Sequence, residues 1–434
     1  MKTTFKKVIA YILRIESQFV LWKYKPKIIA ITGSVGKTST KDAVYAVLSK
    51  IAHIRKSEKS FNSEIGLPLT ILGCPNGWNN PVIWLANVFK GLWLFLWPHK
   101  YPEWLVLEVG VGKQGDMKKT ASWLKTDAVI ITAIGETPVH IEFFDSRKHL
   151  IEEKSQLIKT LKQDGLLVLN TDDKAVLEMK AKSKHRSITF GFNEGADVLG
   201  SGDAIFYGDN GEPEGIIFRA DEGGNSLPVV IEGVFGRNHV YASLAALALS
   251  SGLKLNMVTA INSLKNYDVP PGRMRLLKGI KDSLIIDDTY NSSPLACESA
   301  LKTLGEIKCK DKEGKKIAVL GDMLELGRHT TEAHKNIGKI AKENADILIV
   351  VGPRAKAIKE GAIEAGMGLE SIFEFLNSYE AGDFIKTFLQ KNDIVLIKGS
   401  QGMRMECVVE KILLDQENKK KLLVRQDDEW KKKQ

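Results

Sequence analysis

The densest chemistry in the chain lies in ITGSVGKTSTK, from Ile31 to Lys41. Gly36, Lys37 and Thr38 match the end of the phosphate-binding pattern G-x-x-x-x-G-K-[ST], but Ile31 stands where its first glycine belongs. A shorter form, T-G-S-x-G-K-T-[ST], fits Thr32 to Ser39. In such a turn the backbone around Gly33, Ser34, Gly36 and Ser39 points N–H groups at one spot, which suits an anion. Lys37 is placed to reach terminal phosphates and the Thr38 hydroxyl to ligate Mg²⁺. The plainer alternative is an ordinary strand–turn–helix connection rich in Gly and Ser.

Other chemistry-bearing residues follow strand-like runs. WLVLE puts Glu108 at a strand end, where an acid beside a phosphate loop offers a second hold on Mg²⁺. The stretch AVIITAIGETPVHIEFF carries His140 past another strand, as a metal or phosphate contact or as a structural histidine. Lys154 lies on the helical HLIEEKSQLIKTL, and nothing in its local pattern separates it from a surface lysine. IIDDTYNSSP sets Asp287, Asp288, Tyr290 and Asn291 after a strand, either to hold a ribose or phosphates or to form an Asx-type turn closed by Pro294. Arg273, in PPGRM, is either a nucleotide contact from a hinge or a surface arginine.

These groups need elements to hold them. KIIAI reads as a buried strand and KDAVYAVLSKI as a helix. From Lys27 to about Lys265 strands and helices alternate, the signature of a parallel α/β sheet. Gly- and Asp-rich hairpins are expected as an insertion between Gly191 and Gly233. YDVPPGR reads as a linker. Beyond it SLIIDD, KIAVLGD, DILIVVG and DIVLIKGS predict a second, doubly wound Rossmann-like sheet. The expected fold class is therefore α/β, a P-loop parallel-sheet domain followed by a C-terminal doubly wound domain. The expected boundaries are a basic amphipathic helix over 1–26, an ATP-binding domain over 27–268, a C-terminal domain over 269–415 and a solvated, partly disordered tail over 416–434.

The chain has 434 residues and a formal net charge of +9. That charge accompanies no nucleic-acid motif, so nucleic acid is not an expected partner. Cys74, Cys297, Cys309 and Cys407 form no CxxC pair, which indicates a reducing compartment and no structural zinc. No cleavable signal peptide is evident. The segment 81–102 is apolar and rich in tryptophan, interrupted by Lys90 and too short for a confident membrane span. It reads either as a packed amphipathic helix or partner surface, or as an interfacial membrane helix beside residues 1–26.

Taken in series, TGSVGKTSTK, FNSEIGLPLTIL, LEVGVGKQGDM, TAIGETPVHIEFF, EEKSQL, GRNHVYASLAAL, PPGRMR, DDTYNSSP, VLGDMLELG and IKGSQGM resemble the Mur ligase family, in family order from Lys27 to about residue 414. The resemblance is to the branch that adds D-alanyl-D-alanine to a peptidoglycan peptide precursor. It implies an ATP- and Mg²⁺-dependent ligase working through an acyl phosphate. Lys37 and Thr38 would hold phosphates and Mg²⁺, and Glu108 and His140 would hold metal. Lys154 would be the lysine that is carbamoylated into an anionic ligand. Asn62 would face the substrate, Arg273, Asp288 and Asn291 would complete the ATP site, and Lys398, Gly399 and Ser400 would line the acceptor side. A cytoplasmic monomer is expected, with peripheral contact at the inner membrane surface if the interfacial reading of 1–26 and 81–102 holds.

Three departures stand out. Val35 and Ala133 replace the usual Asn residues, and Ala242 stands where an adenine-contacting Asn is expected. Only about 26 residues precede the first strand, too few for the family's UDP-binding domain. That leaves open a ligase for another acyl substrate, lipid-linked or a polyamide, and a non-catalytic ATP-binding partner.

Overall fold

The computed structural model describes residues 3–58, 61–135, 143–310, 313–427 and 430. The first sheet comprises β1 (Lys27–Thr32), β2 (Ile54–Lys56), β3 (Trp104–Glu108), β4 (Thr126–Ile131), β5 (Leu161–Asn170), β6 (Arg186–Gly191), β7 (Val198–Tyr207), β8 (Pro213–Glu222) and β9 (Asn225–Glu232). Their order is β2-β3-β1-β4-β5-β6-β7-β8-β9. All pairings up to β6–β7 are parallel, while β7, β8 and β9 run antiparallel. The Gly-rich stretch forms the expected hairpins, and they extend the same sheet as its far edge. Strand β6 presents unpaired backbone groups at its edge, and β7 satisfies them.

Strand β1 is buried on both faces, as its β-branched run requires in a covered parallel sheet. Ile29 and Ile31 face a core shared with α2 (Lys37–Leu48) and the helix Arg237–Gly252. Ile28 and Ala30 face another built by α1 (Thr3–Tyr24), α3 (Gly66–Leu72) and α4 (Pro81–Leu96). Alternation along the strand therefore makes three layers.

Helix α1 is a seated part of this second layer. Ile9, Leu13 and Val20 are buried, and Lys23 Nζ donates to the carbonyls of Leu94, Phe95 and Trp97 at the end of α4. Glu16 is buried where α1 meets α4, against Gly91, and an added Cβ at Gly91 would fall 2.2 Å from Glu16 Oε2. Burial raises the Glu16 carboxyl from 4.5 to about 7. A raised acid pKa means that the folded state holds the proton more tightly than the unfolded chain. Its contribution is present below pH 4.5 and lost as pH rises through 7. Glu16→Gln should therefore stabilise the protein at pH 8 by about 1–3 kcal/mol, with the advantage gone at pH 4.5. Thermal melts of both proteins across this range check it.

The second sheet comprises β10 (Arg275–Lys278), β11 (Leu284–Asp288), β12 (Lys316–Gly321), β13 (Ile347–Val351), β14 (Ile372–Phe375) and β15 (Ile394–Lys398), ordered β10-β11-β15-β12-β13-β14. All pairings are parallel except β10–β11. Helices Pro294–Glu306 and Thr330–Asn344 cover one face, and Ser378–Phe388 and Glu406–Ile412 the other. The first of these cores is continuous with that around α2.

Two connecting segments are more ordered than their composition suggests. In YDVPPGR, Tyr267 and Val269 are buried and Gly272 N donates to Asp287 Oδ2 at 3.0 Å. The expected tail, exposed over most of 416–421, is packed further on, since Leu423, Val424 and Arg425 are buried. Arg425 Nη1 donates to Glu406 Oε2 at 2.7 Å and to Thr289 O at 3.1 Å. A buried ion pair with its carbonyl partners overrides the local charge run there.

Candidate active site

Strands β3, β1 and β4 are adjacent, and the chain leaves their C-terminal ends with Glu108, Gly33 and Thr132 side by side. This is where a parallel sheet gathers its loops. Gly33 lies against Thr132, and a Cβ there would fall 2.0 Å from Thr132 Oγ1. Gly36 adopts φ +85° at the N-cap of α2, a left-handed conformation that favours glycine and turns the chain into the helix. The helix N-terminus then faces the loop. Ser34 Oγ is buried with no hydrogen-bond partner, an orphan donor beside the same spot. Lys37 Nζ donates to Gly33 O at 2.9 Å and Ser34 O at 3.3 Å.

Thr38 Oγ1 donates to Glu108 Oε2 at 3.0 Å, and Asn62 Nδ2 donates to Glu108 Oε1 at 3.1 Å. Glu108 is buried, with Lys41 Nζ 3.9 Å away. A hydroxyl and a carboxylate side by side are hard oxygen donors of the kind Mg²⁺ takes, so the residues present fit that ion. Among the described residues no three His, Cys, Asp or Glu side chains cluster as a metal site. His140 lies outside the described residues.

Lys154 belongs to the helix Arg147–Ser155 and is buried, its Nζ donating to Gly33 O at 2.9 Å. Burial first, then the Lys37 charge, pulls its ammonium pKa well below the usual lysine range, against the opposing pull of Glu153. Lys37 is likewise lowered by burial, which Glu108 opposes and Arg273 reinforces. Two amines sharing one carbonyl in a dry site disfavour double charging.

The C-terminal half closes over this loop. Arg273 Nη2 reaches Thr38 Oγ1 at 3.4 Å and its guanidinium lies 4.0 Å from the Tyr290 ring centroid. Beneath Arg273, His239 bridges Tyr267 Oη and the Arg273 carbonyl, both at 2.8 Å. Asp288, Asn291 and Lys398 line the same small pocket as the loop. Lys398 is buried and ion-paired to Asp288 Oδ2 at 2.5 Å, while Met274 N donates to Asp288 Oδ1 at 3.2 Å. Gly399 and Ser400, expected on the acceptor side, reach neither cavity described below. Gly399 packs on Gly321 and Met405, and Ser400 Oγ accepts from Leu324 N at 2.8 Å. The side chain that does reach a cavity from this segment is Gln401.

Two larger cavities meet at the loop. One, of about 630 Å³, is lined by Val35, Ala133, Asn170, Asp172, Phe190, Arg237, Asn238 and Tyr241 among others. The other, of about 580 Å³, is lined by Lys37, Asn62, Glu108, Lys154 and Arg273, with Lys113, Lys119, Trp123 and Arg14 further along. The sequence reading missed the walls of the first. GRNHVYAS carries the signal, but Ala242 is buried in the core, and Asn238, Arg237 and Tyr241 face the cavity. Val35 and Ala133, two of the departures from the family pattern, are bridged to each other and line this cavity together.

A glycine-rich loop on a helix N-terminus, with a strand-end acid and a covering second sheet, defines a nucleotide-dependent phosphoryl-transfer enzyme. The Mur ligase middle domain matches residues 31–250, and the Mur ligase glutamate ligase domain matches 272–401. The chain belongs to the Mur ligase family and is an ATP-dependent carbon–nitrogen ligase. It is 27% identical over 393 residues to the UDP-N-acetylmuramoyl-tripeptide–D-alanyl-D-alanine ligase of Bacillus subtilis, covering 89% of this chain and 76% of that one. The enzyme of the same name from Synechocystis is 29% identical over 392 residues, covering 89% and 75%. MurF ligase from Thermotoga maritima in complex with ADP superimposes with a TM-score of 0.75 at 25% identity, covering 96% of this chain and 84% of that one.

Proposed function

We propose that this chain joins D-alanyl-D-alanine, or a closely similar amine, to the carboxyl of a peptidoglycan peptide precursor at the cost of ATP. The observation that carries the reading is the Thr38–Glu108–Asn62 chain of hydrogen bonds, because it joins Thr38, in the small pocket at the phosphate loop, to Glu108 and Asn62 on the wall of the second cavity. The first cavity suits the nucleoside and the second the peptide. The donor carboxylate oxygen attacks the γ-phosphorus of ATP, the bond to ADP breaks, and an acyl phosphate forms. The amine nitrogen then attacks the acyl carbon, inorganic phosphate leaves, and the nitrogen loses a proton. Lys37 and the N-terminus of α2 hold the phosphates, and Arg273 binds from the covering domain. Thr38 and Glu108 would hold Mg²⁺, with His140 and a carbamoylated Lys154 by family resemblance, and the ion would offset phosphate charge. Asp288 and Lys398 act as a fixed pair beneath Arg273, and Asn291 lines both the loop pocket and the peptide cavity.

A buried Lys154 whose ammonium is disfavoured by burial and by Lys37 supports carbamoylation. Its nitrogen lone pair adds to the carbon of CO₂, and the proton released leaves an anionic carbamate. Phosphate release from ATP with UDP-N-acetylmuramoyl-tripeptide should depend on D-alanyl-D-alanine. Release supported by a different amine alone would overturn the acceptor assignment.

A second reading, of location, rests on α4. Its buried face holds Trp84, Asn87 and Gly91, whereas its exposed face holds Val82, Leu85, Phe89, Leu92, Trp93 and Leu96. Beside it α1 exposes Val8, Tyr11, Phe19 and Trp22, and Val82 and Trp22 are each 71% exposed. Lys7, Lys25, Lys90 and Lys100 are exposed around this face, and the one acid within 3–27 and 81–100 is the buried Glu16. No helix among the described residues is long and apolar enough to cross a membrane. Aromatic and aliphatic side chains ringed by lysines suit the interface of an anionic bilayer, here the cytoplasmic surface. The chain should co-sediment with phosphatidylglycerol vesicles at least tenfold better than with phosphatidylcholine. Trp22→Glu with Phe89→Glu should abolish it. A concentration-dependent dimer without vesicle binding would assign the face to a second copy.

A further inference from the structure

Helix α1 precedes the residues that either family domain matches, yet it sends one side chain into the peptide cavity. That side chain is Arg14. Its Nε is buried without a hydrogen-bond partner. The guanidinium lies 5.1 Å from the Tyr11 ring centroid, within cation–π range. The preceding Leu13, and Ser17 one turn on, are buried in the helix packing, so the position of Arg14 is set by the core.

A buried guanidinium nitrogen with no acceptor is costly, and an apolar residue of similar length would be cheaper there. The cavity it lines is rich in cations, with Lys37, Lys113, Lys119, Lys154 and Arg273 on its wall. The acids there are fewer: Glu108 is already bonded to Thr38 and Asn62, Asp116 accepts from Gly112 N and Lys113 N, and Glu64 is exposed. Such a wall is built for an anionic ligand, and Arg14 stands on it from outside the nucleotide machinery.

We propose that Arg14 is a binding residue for the acyl donor, taking a carboxylate or phosphate group of the donor away from its reacting carboxyl. The inference rests on the ligase reading for its choice of donor. A guanidinium offers two parallel N–H groups to either anion, so the shared chemistry is a planar, charge-assisted pair. The reacting carboxyl itself belongs at the phosphate loop with Lys37.

The test is calorimetric binding of UDP-N-acetylmuramoyl-tripeptide to the full chain, without amine. Arg14→Ala should weaken it about 10- to 100-fold, while ATP affinity stays within twofold. Arg14→Met keeps the packing stem and should show the same loss if the alanine variant fails to fold. Arg14→Lys should recover part of the affinity, as a merely structural role would not require. Repeating the titration with the muramoyl-tripeptide lacking UDP separates the two sources. A loss that persists assigns Arg14 to a peptide carboxylate, and one that disappears assigns it to the diphosphate. Equal donor affinity in the original and varied chains overturns the proposal, as does a chain that binds no donor. Donor binding that depends on Arg14 without amine-dependent phosphate release would sink the ligase reading and leave this assignment standing.

Discussion

Lys37→Ala should lower amide formation by about 10³-fold or more, with melting temperature changed little. Lys37 is partly buried at the turn into α2, its amine held by the Gly33 and Ser34 carbonyls. Those bonds are local, so deleting the amine removes few packing contacts. What is lost is a positive charge at the place where phosphate oxygens gain negative charge in the transition state. In a site this dry, that charge acts with little screening. Lys37→Arg should fail nearly as badly, because a planar guanidinium cannot occupy the pocket that holds a single ammonium. Quenched assays of phosphate and ligated product, beside thermal melts, give the answer. Activity within tenfold of the original chain would show that the loop does not carry the chemistry.

Lys154→Ala should cost about 10²- to 10³-fold, and its diagnostic is CO₂. The Lys154 amine is buried 2.9 Å from the Gly33 carbonyl and depressed by burial and by Lys37. Left as a cation it would repel Lys37, whereas as a carbamate it would attract both Lys37 and a metal. Activity of the original chain should fall in CO₂-depleted buffer and return with bicarbonate. The Lys154→Ala variant should respond to neither. Because a depressed amine keeps its lone pair to lower pH than an ordinary lysine, the bicarbonate response should persist to lower pH than an ordinary lysine would allow. A chain indifferent to CO₂, with full activity, would remove the carbamate from the reaction.

Much of this molecule was legible in the sequence for local reasons. The run KIIAI followed by GSVGKT specifies a buried strand, a left-handed glycine and a helix start within a few residues, and each step is a backbone preference. The strands SLIIDD, KIAVLGD, DILIVVG and DIVLIKGS were readable because strands covered on both faces need continuous apolar runs. The short strands β10 and β14, and the pairing of the expected hairpins onto β6 as the edge of the main sheet, were not, because pairing partners decide them. The packing of Gly399 and Ser400 was not legible for a similar reason, since the approach of Gly399 to Gly321 and the bond of Ser400 to Leu324 depend on tertiary neighbours.

The sequence by itself determined the phosphate loop, the two α/β domains and the family. Tertiary structure alone decided which distant side chains share a space. Lys154, with the pattern of a surface lysine, became a buried amine because its helix packs against the loop carbonyl. Val35 and Ala133, read as separate departures, are bridged neighbours on one wall. Arg14, one cation on a basic helix, enters the peptide cavity because Ile9, Leu13 and Val20 fix that helix to the sheet. Periodicity reports which face of an element is apolar, but only the docking of elements determines what a polar side chain meets.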